Sequence, residues 1–149
     1  MDRAIERVRK FQTGELPGGP VVELLGLTIT EVEHGRLVME MESGPAFANP
    51  MGTMHGGILT ALADSAMGMA YVSTLGEEES FTTLELKINF LKPVWRGRLT
   101  AEARLKKGGS TVGLVECDVR DARGSLVAYA VSTCMTLRGE QAMGRMPAA

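Results

Sequence analysis

The pattern of apolar and polar residues predicts one buried helix among several strands. Residues from His55 to Gly76 are apolar nearly all round and contain no proline, as expected for a helix that is packed on every side. The glycine at its end is typical of a helix C-cap. The segment FTTLELKINFLKP alternates instead, which places every second side chain on one face of a strand. That face is predicted to carry Leu84, Leu86, Ile88 and Phe90.

The same pattern orders the remaining elements. It predicts a short amphipathic helix over residues 2–13, a second helical turn over 21–25, and a strand hairpin over 27–41 that turns at His34-Gly35. At least four antiparallel strands follow the long helix, and the segment KKGGS is predicted to be a turn between two of them. We therefore expect an α+β domain in which a curled antiparallel sheet wraps a long central helix. The exposed edges of such a sheet favour dimerisation.

The length of 149 residues corresponds to a single domain. We expect residues 1–20 to form an N-terminal helix and linker, 21–138 the main domain, and 139–149 a flexible tail. The N-terminal residues are charged and contain no apolar signal segment. Asp64 inside the long helix makes a membrane span unfavourable. These features predict a cytoplasmic protein.

Composition argues against several classes of partner and site. Sixteen Lys and Arg against eighteen Asp and Glu give a net charge of −2, and only one Trp, two Tyr and four Phe are present, so a nucleic-acid interface is not expected. Cys117 and Cys134 lie in alternating segments and are expected to be small core residues. The two histidines are far apart in sequence and offer no convincing ligand set, so no metal is expected.

Asp64 is the first candidate for chemistry, because it is the only charged residue between Gly57 and Leu75. The residues one turn away on the helix provide no basic partner. An isolated carboxylate among apolar side chains is costly to ionise, and burial is expected to raise its pKa. Two interpretations stay open, a functional carboxylate or an aspartate that faces solvent on an otherwise buried helix.

The second candidate is the segment His55-Gly56-Gly57, which directly precedes the long helix. A helix start presents free N–H groups that suit an oxyanion, although such a glycine segment is also a simple entry to a helix. Gly57 and Asp64 are about 10.5 Å apart along a helix. Since a reacting carbonyl must lie about 3 Å from both groups, they are predicted to meet only across a symmetric dimer with antiparallel helices.

Two segments, NPMGTMHGGILTALADSAMG and TTLELKINFLKPVWRGRLTAEARLKKGGST, resemble the PaaI-like (phenylacetic acid degradation) group of hotdog-fold acyl-CoA thioesterases. The resemblance covers residues 24–138. It implies a hotdog fold, hydrolysis of acyl-CoA thioesters, and a homodimer or a dimer of dimers with sites across the dimer interface. No cofactor is implied, because coenzyme A is part of the substrate.

The resemblance also implies roles for individual residues. Asp64 matches the catalytic carboxylate, either nucleophile or general base, and Gly57 the backbone N–H that polarises the thioester carbonyl. Asn49 matches the residue that positions water or the carboxylate, and His55 an orienting residue. The implied contacts with substrate or coenzyme A are Gly56, Thr83, Phe90, Lys106, Lys107, Gly108, Gly109 and Ser110.

Two departures from the family pattern bear on these roles. Asp64 is shorter than the glutamate of a related branch, which leaves more room for water at the carboxylate. Gly108 and Gly109 stand where a basic residue is often found, so Lys106, Lys107 or nearby arginines are expected to contact the phosphates.

Other functions stay open at this point. A hotdog hydratase or dehydratase would use His55 and Asp64 for proton transfer at carbon, and an acyl-CoA-binding protein would bind without turnover. The segment G-x-S-x-G of serine hydrolases is absent from the sequence. Methionines near the expected site suggest an adaptable apolar pocket. Aryl-acyl groups such as phenylacetyl are our first expectation, and medium-chain fatty acyl groups the second.

Overall fold

The computed structural model describes residues 2–145, and it confirms the α+β class. Three α-helices are present in this range: α1 (Arg3–Thr13), α2 (Pro20–Leu25) and α3 (Gly56–Val72). Six strands accompany them: β1 (Thr28–Glu33), β2 (Arg36–Ser43), β3 (Ser80–Phe90), β4 (Gly97–Gly108), β5 (Val112–Asp121) and β6 (Leu126–Leu137). Two short 3₁₀ helices lie at Pro45–Phe47 and Gly139–Ala142. None of the helices described combines the length and the apolar character needed to span a membrane.

The strands form one antiparallel sheet in the order β1-β2-β4-β5-β6-β3. Helix α3 packs against β2, β3, β4, β5 and β6, so the sheet curves around it as the sequence predicts. The side chains that α3 turns toward the sheet are fully buried: Leu62, Ala63, Ala66, Met67 and Ala70. Strand β3, which follows α3 in the chain, forms one edge of the sheet.

The central strands alternate as their sequences indicate. In β4, Leu99, Ala101 and Ala103 are fully buried, and Val119 and Cys117 of β5, which pair with the two alanines, are fully buried as well. Cys117 and Cys134 are free, buried thiols, which confirms that they are core residues. Burial raises the pKa of Cys117 to about 12, with Asp118 and Glu102 adding to the effect, so this thiol stays protonated.

The N-terminal helix α1 packs on the same core. Its Val8 is fully buried, and the helix contacts β1 and α3. Asp2 caps its start by accepting a hydrogen bond from the Ala4 N–H at 3.1 Å, and Gly14 ends it at φ 80°. The domain boundary at residue 20 stays a prediction, but α1 and α2 both lie against the sheet and helix that follow them.

Helix α3 ends earlier than the pattern predicts. Its C-cap is Ser73 rather than Gly76. The Ser73 hydroxyl donates to the Ala70 carbonyl at 2.6 Å and accepts from the Gly35 N–H at 2.8 Å, so a buried contact with the β1–β2 turn fixes the end of the helix. A buried serine, and not the conformational freedom of glycine, therefore ends α3.

Two further segments bear on the predicted elements, and one of them differs from the prediction. Strand β4 continues through Lys106 and Lys107 to Gly108, so only the end of the segment KKGGS belongs to the turn. The predicted flexible tail begins with a 3₁₀ helix whose Ala142 is buried, and Ser80 donates a hydrogen bond to the Arg145 carbonyl at 2.9 Å. The flexibility of this tail stays a prediction. Residues 146–149 of that predicted tail lie outside the described residues.

Candidate active site

The start of α3 is built around two glycines and a histidine cap. His55 is the N-cap residue, and its Nδ1 accepts a hydrogen bond from the Gly57 N–H at 2.9 Å. The Thr60 hydroxyl donates to the Gly56 carbonyl at 2.8 Å. A Cβ atom at Gly56 would lie 2.8 Å from Cζ of Phe90, so glycine is required for this ring to lie across the helix start.

The hydrogen bond between Gly57 and His55 bears on the predicted oxyanion role. The predicted N–H donor already has a partner, and both residues are exposed in the single chain. An acyl oxygen that accepts this hydrogen must replace the His55 ring or share the donor with it. Because Nδ1 accepts through its lone pair, the ring is unprotonated at this nitrogen while the bond is made.

Asp64 lies two turns further along α3 and faces β3. Its carboxylate is exposed in the single chain, as the solvent-facing interpretation expects, but it stands in a concavity between the helix and the edge strand. Partial desolvation there raises the pKa of Asp64, and a hydrogen bond from Thr83 opposes the rise. The predicted direction of the pKa shift is therefore confirmed.

Thr83 reaches Asp64 because β3 contains a bulge. The Thr83 hydroxyl donates to Asp64 Oδ1 at 3.4 Å, a long hydrogen bond, and the register of β3 on β6 shifts between Thr83 and Glu85. The bulge changes which side chains face α3, since Leu84 is the extra residue and is 54% exposed. The predicted continuous apolar face of β3 is therefore wrong at Leu84. Phe90 is equally exposed, but its ring lies on the predicted face, against Gly56 of α3.

Two concavities meet at Asp64 and Thr83. One is an open groove along α3 and β3 that contains Gly57, Thr60 and Ala61 as well. The other is a cavity of about 450 Å³ between Asp64 and the N-terminal segment, and its lining includes Phe81. Asp64 therefore stands where a groove that begins at the α3 N-terminus joins a deeper cavity.

The structure separates Asn49 from Asp64 within one chain. Asn49 lines a different pocket together with Gly56 and Phe90. Its side-chain NH₂ donates to the Thr53 hydroxyl at 2.8 Å, and its Oδ1 accepts from the Met51 N–H at 3.0 Å. Both side-chain groups of Asn49 therefore stabilise its own loop. Its predicted role in positioning water or the carboxylate stays a prediction, and it requires the Asp64 of a second chain to lie near Asn49.

The predicted coenzyme A segment lies apart from both concavities. Lys106, Lys107, Gly108, Gly109 and Ser110 are exposed at the end of β4 and in the turn that follows it. Lys106 Nζ lies 3.5 Å from Glu116 Oε1, and Gly109 donates its N–H to the Val112 carbonyl at 2.8 Å. The role of this segment in binding coenzyme A stays a prediction, as does the expected absence of a metal. Within residues 2–145, no three His, Cys, Asp or Glu side chains are grouped to hold one.

Sequence reasoning missed the residues that build the cavity. Gly68 lies one turn after Asp64, and a Cβ atom there would come within 2.9 Å of Phe81 Cζ. The ring of Phe81 also packs edge-on against Tyr71, with centroids 5.9 Å apart. A glycine inside a helix lowers helix stability by about 1 kcal/mol relative to alanine. A glycine at position 68 was therefore a signal in the sequence that another side chain approaches the helix closely there.

Comparisons with known proteins identify the family. The sequence profile of the thioesterase superfamily matches residues 51–128, which are 78 of the 149 residues. A Saccharolobus solfataricus protein provisionally named an esterase is 36% identical over 118 residues, which cover 79% of this chain and 84% of that protein. A Listeria monocytogenes protein named 1,4-dihydroxy-2-naphthoyl-CoA hydrolase is 28% identical over 112 residues, which cover 75% of this chain and 89% of that one.

A solved structure agrees with this assignment. The phenylacetic acid degradation-related protein from Ralstonia eutropha JMP134 superimposes with a TM-score of 0.80 and is 35% identical. The match covers 86% of this chain and 98% of that protein. The predicted resemblance and fold are therefore confirmed, and the chain belongs to the thioesterase superfamily as a hotdog-fold thioester hydrolase of the PaaI-like group.

Proposed function

We propose that the protein hydrolyses acyl-CoA thioesters to a free acid and coenzyme A, with aryl-acyl groups such as phenylacetyl as first substrates and medium-chain fatty acyl groups as second. The observation that carries this proposal is the position of Asp64. The carboxylate is partly desolvated, accepts a hydrogen bond from Thr83, and stands between the groove that leads to Gly57 and the apolar cavity.

The catalytic unit in this proposal is a dimer. Gly57 and Asp64 lie on one helix about 10.5 Å apart, too far to act on a single carbonyl within one chain. An antiparallel α3 from a second copy places its Gly57 near the first copy's Asp64. The edge strand β3 and the loop after it support this arrangement, because Leu84, Phe90 and Leu91 are each more than half exposed there.

The proposed reaction is general-base hydrolysis. The ionised Asp64 takes a proton from water, and the water oxygen attacks the thioester carbonyl carbon. The carbonyl electron pair moves to the oxygen, which replaces His55 Nδ1 as the partner of the Gly57 N–H and lies at the positive end of the α3 dipole. Collapse of the tetrahedral intermediate breaks the carbon–sulfur bond, and the leaving coenzyme A thiolate takes the proton back from Asp64, which restores the base.

Thiol release from a panel of aryl and aliphatic acyl-CoA esters tests the proposal, with the native protein and Asp64→Asn assayed side by side. Asn keeps the shape of the side chain but cannot act as a base, so we expect kcat/KM to fall by roughly a thousandfold or more. The control is Glu85→Gln, which neutralises a carboxylate on the same groove that has no assigned role. Full activity in Asp64→Asn, or a folded native protein that releases no thiol from any ester, would contradict the proposal.

The hydratase alternative needs His55 and Asp64 to act on one substrate carbon. The His55 ring caps the start of α3, two turns from Asp64 in the same chain. A product that retains its thioester and gains or loses water would favour that alternative. Tight acyl-CoA binding without turnover would favour a binding protein.

A further inference from the structure

We propose that the cavity beneath the N-terminal segment is the acyl pocket and that α2, with the end of α1, determines which acyl groups enter it. This inference rests on the proposed function, because it takes Asp64 as the group beside the thioester carbonyl. Asp64 and Thr83 line both the cavity and the groove, so an acyl chain whose carbonyl is held beside them can extend into the cavity. Its volume of about 450 Å³ falls in the range of small-molecule pockets.

The charge of the lining favours an uncharged acyl group. Asp64 is the one charged side chain among the described residues that line the cavity. The phosphates of coenzyme A would find no cation there, so they stay outside. An acyl group with a second carboxylate would enter without a cationic partner and beside Asp64, which is unfavourable. We therefore expect apolar acyl groups to be accepted and dicarboxylic ones, such as succinyl, to be rejected.

The inner wall of the cavity is fixed by the core. Gly68 and Phe81 are in close contact, and Met39 and the Gly68 backbone are buried among the sheet and α3. A larger residue at Gly68 would displace the Phe81 ring from its contact with Tyr71. Changes on this side therefore disturb the core as well as the pocket.

The outer wall is formed by the N-terminal segment. Phe11 at the end of α1, Gly18 in the connection and Val22 in α2 line the cavity, and Phe11 and Val22 are half-buried. Val22 also packs against the hydrophobic core from outside. A change of side-chain volume at Val22 alters the cavity from its surface side and leaves the sheet in place.

Neighbouring valines of α2 provide a matched pair for the test. Val22 lines the cavity, whereas Val21 is 55% exposed and does not line it. We would prepare Val22→Phe, Val22→Ala and the control Val21→Phe, and measure kcat/KM for acetyl-, butyryl-, octanoyl-, phenylacetyl- and succinyl-CoA. The quantity compared is the ratio of kcat/KM for octanoyl-CoA to kcat/KM for acetyl-CoA. A variant that lowers kcat/KM equally for all esters leaves this ratio unchanged.

Each methylene that enters the cavity of the native protein is expected to raise kcat/KM by roughly fourfold. Val22→Phe fills the cavity and should lower the octanoyl-to-acetyl ratio by about tenfold or more, since it excludes at least two methylenes. Val22→Ala enlarges the cavity and should raise that ratio, and Val21→Phe should leave it unchanged. Succinyl-CoA should be hydrolysed far more slowly than butyryl-CoA.

The outcomes separate this inference from the proposed function. Hydrolysis that depends on Asp64, but with the same ratio in Val22→Phe as in Val21→Phe, would overturn the acyl-pocket assignment and leave the proposed function standing. If Val22→Phe does not fold, an unchanged chain-length profile in Val22→Ala would overturn the assignment in the same way. A native protein with no thioesterase activity would overturn both proposals.

Discussion

The two faces of α3 differ in how a single chain covers them. On one face, Leu62, Ala66 and Met67 are fully buried against the curved sheet. On the other, Gly57 and Asp64 are exposed in an open groove beside β3. A helix that is apolar nearly all round in sequence is therefore covered on one side only. In the proposed dimer, the helix is apolar for two reasons, a core that it completes and a surface that the second copy covers.

Desolvation acts on both faces, but to different extents. Behind α3, burial raises the pKa of Cys117 to about 12 and keeps the thiol inert. On the open face, desolvation raises the pKa of Asp64 while solvent and the Thr83 hydroxyl still reach the carboxylate. A carboxylate in such a place can ionise and also accept a proton, which is what a general base requires.

The largest effect is expected from combining two inactive variants of the open face. Asp64→Asn removes the base, and Gly57→Pro removes the N–H donor at a position of the first helical turn that tolerates proline. If each site uses Gly57 of one copy and Asp64 of the other, every mixed dimer contains one intact site. An equal mixture that exchanges chains should regain about a quarter of native thiol release from nearly none.

Chain exchange in that mixture is verified by co-purification of differently tagged copies. Each variant alone, carried through the same exchange, is the control. If each site lay within one chain, the Asp64→Asn copy would lack the base and the Gly57→Pro copy would lack the N–H donor, so a mixed dimer would contain no intact site. Mixed dimers without activity would therefore contradict a site that is shared between chains.

On the buried face, the expected effect concerns stability and not chemistry. Leu62→Ala leaves a cavity between α3 and the sheet and should lower the free energy of unfolding by about 2–5 kcal/mol. Urea unfolding measures this loss, and thiol release per folded molecule should stay within severalfold of native. Native stability in Leu62→Ala would contradict the role of this face in the core. A folded Leu62→Ala protein without activity would mean that the two faces are not separate in function.

Local features of the site could be predicted from the sequence. The long helix, the glycines at its start and the single charge at Asp64 are each visible in a few consecutive residues. Their separation along one helix follows from helix geometry alone. The alternation of apolar and polar residues along β5 and β6 could be predicted as well, because a strand with one buried face is enough to produce it.

Features that depend on distant contacts could not be predicted. The bulge that brings Thr83 to Asp64 depends on the register of β3 on β6, and the C-cap at Ser73 depends on the β1–β2 turn. Asn49 is held by hydrogen bonds within its own loop, which its residue type alone does not reveal. The outer wall of the cavity comes from Phe11 and Gly18, in the predicted helix and linker, and from Val22 in the predicted helical turn that follows. No local feature of the sequence indicates which surface these residues face.

The smallest expected effect is on the stability of Asp64→Asn. The folded state raises the pKa of Asp64 above its unfolded value, so it favours the protonated carboxyl. The ionised form therefore destabilises the native protein at neutral pH, and this cost disappears as the pH falls through the folded pKa toward the unfolded value. Asp64→Asn lacks the cost and should have a slightly higher Tm than native at pH 7.

Thermal unfolding of both proteins between pH 7 and pH 4 measures this difference. The Tm advantage of Asp64→Asn should shrink steadily as the pH is lowered, because native Asp64 then takes up its proton. Glu85→Gln is the control, since it removes a carboxylate from the same groove without touching Asp64, and its effect should not follow the same course. A Tm of Asp64→Asn below that of native at pH 7 would mean that the ionised carboxylate stabilises the fold. Asp64 would then belong with the structural residues of α3 and not with the open face.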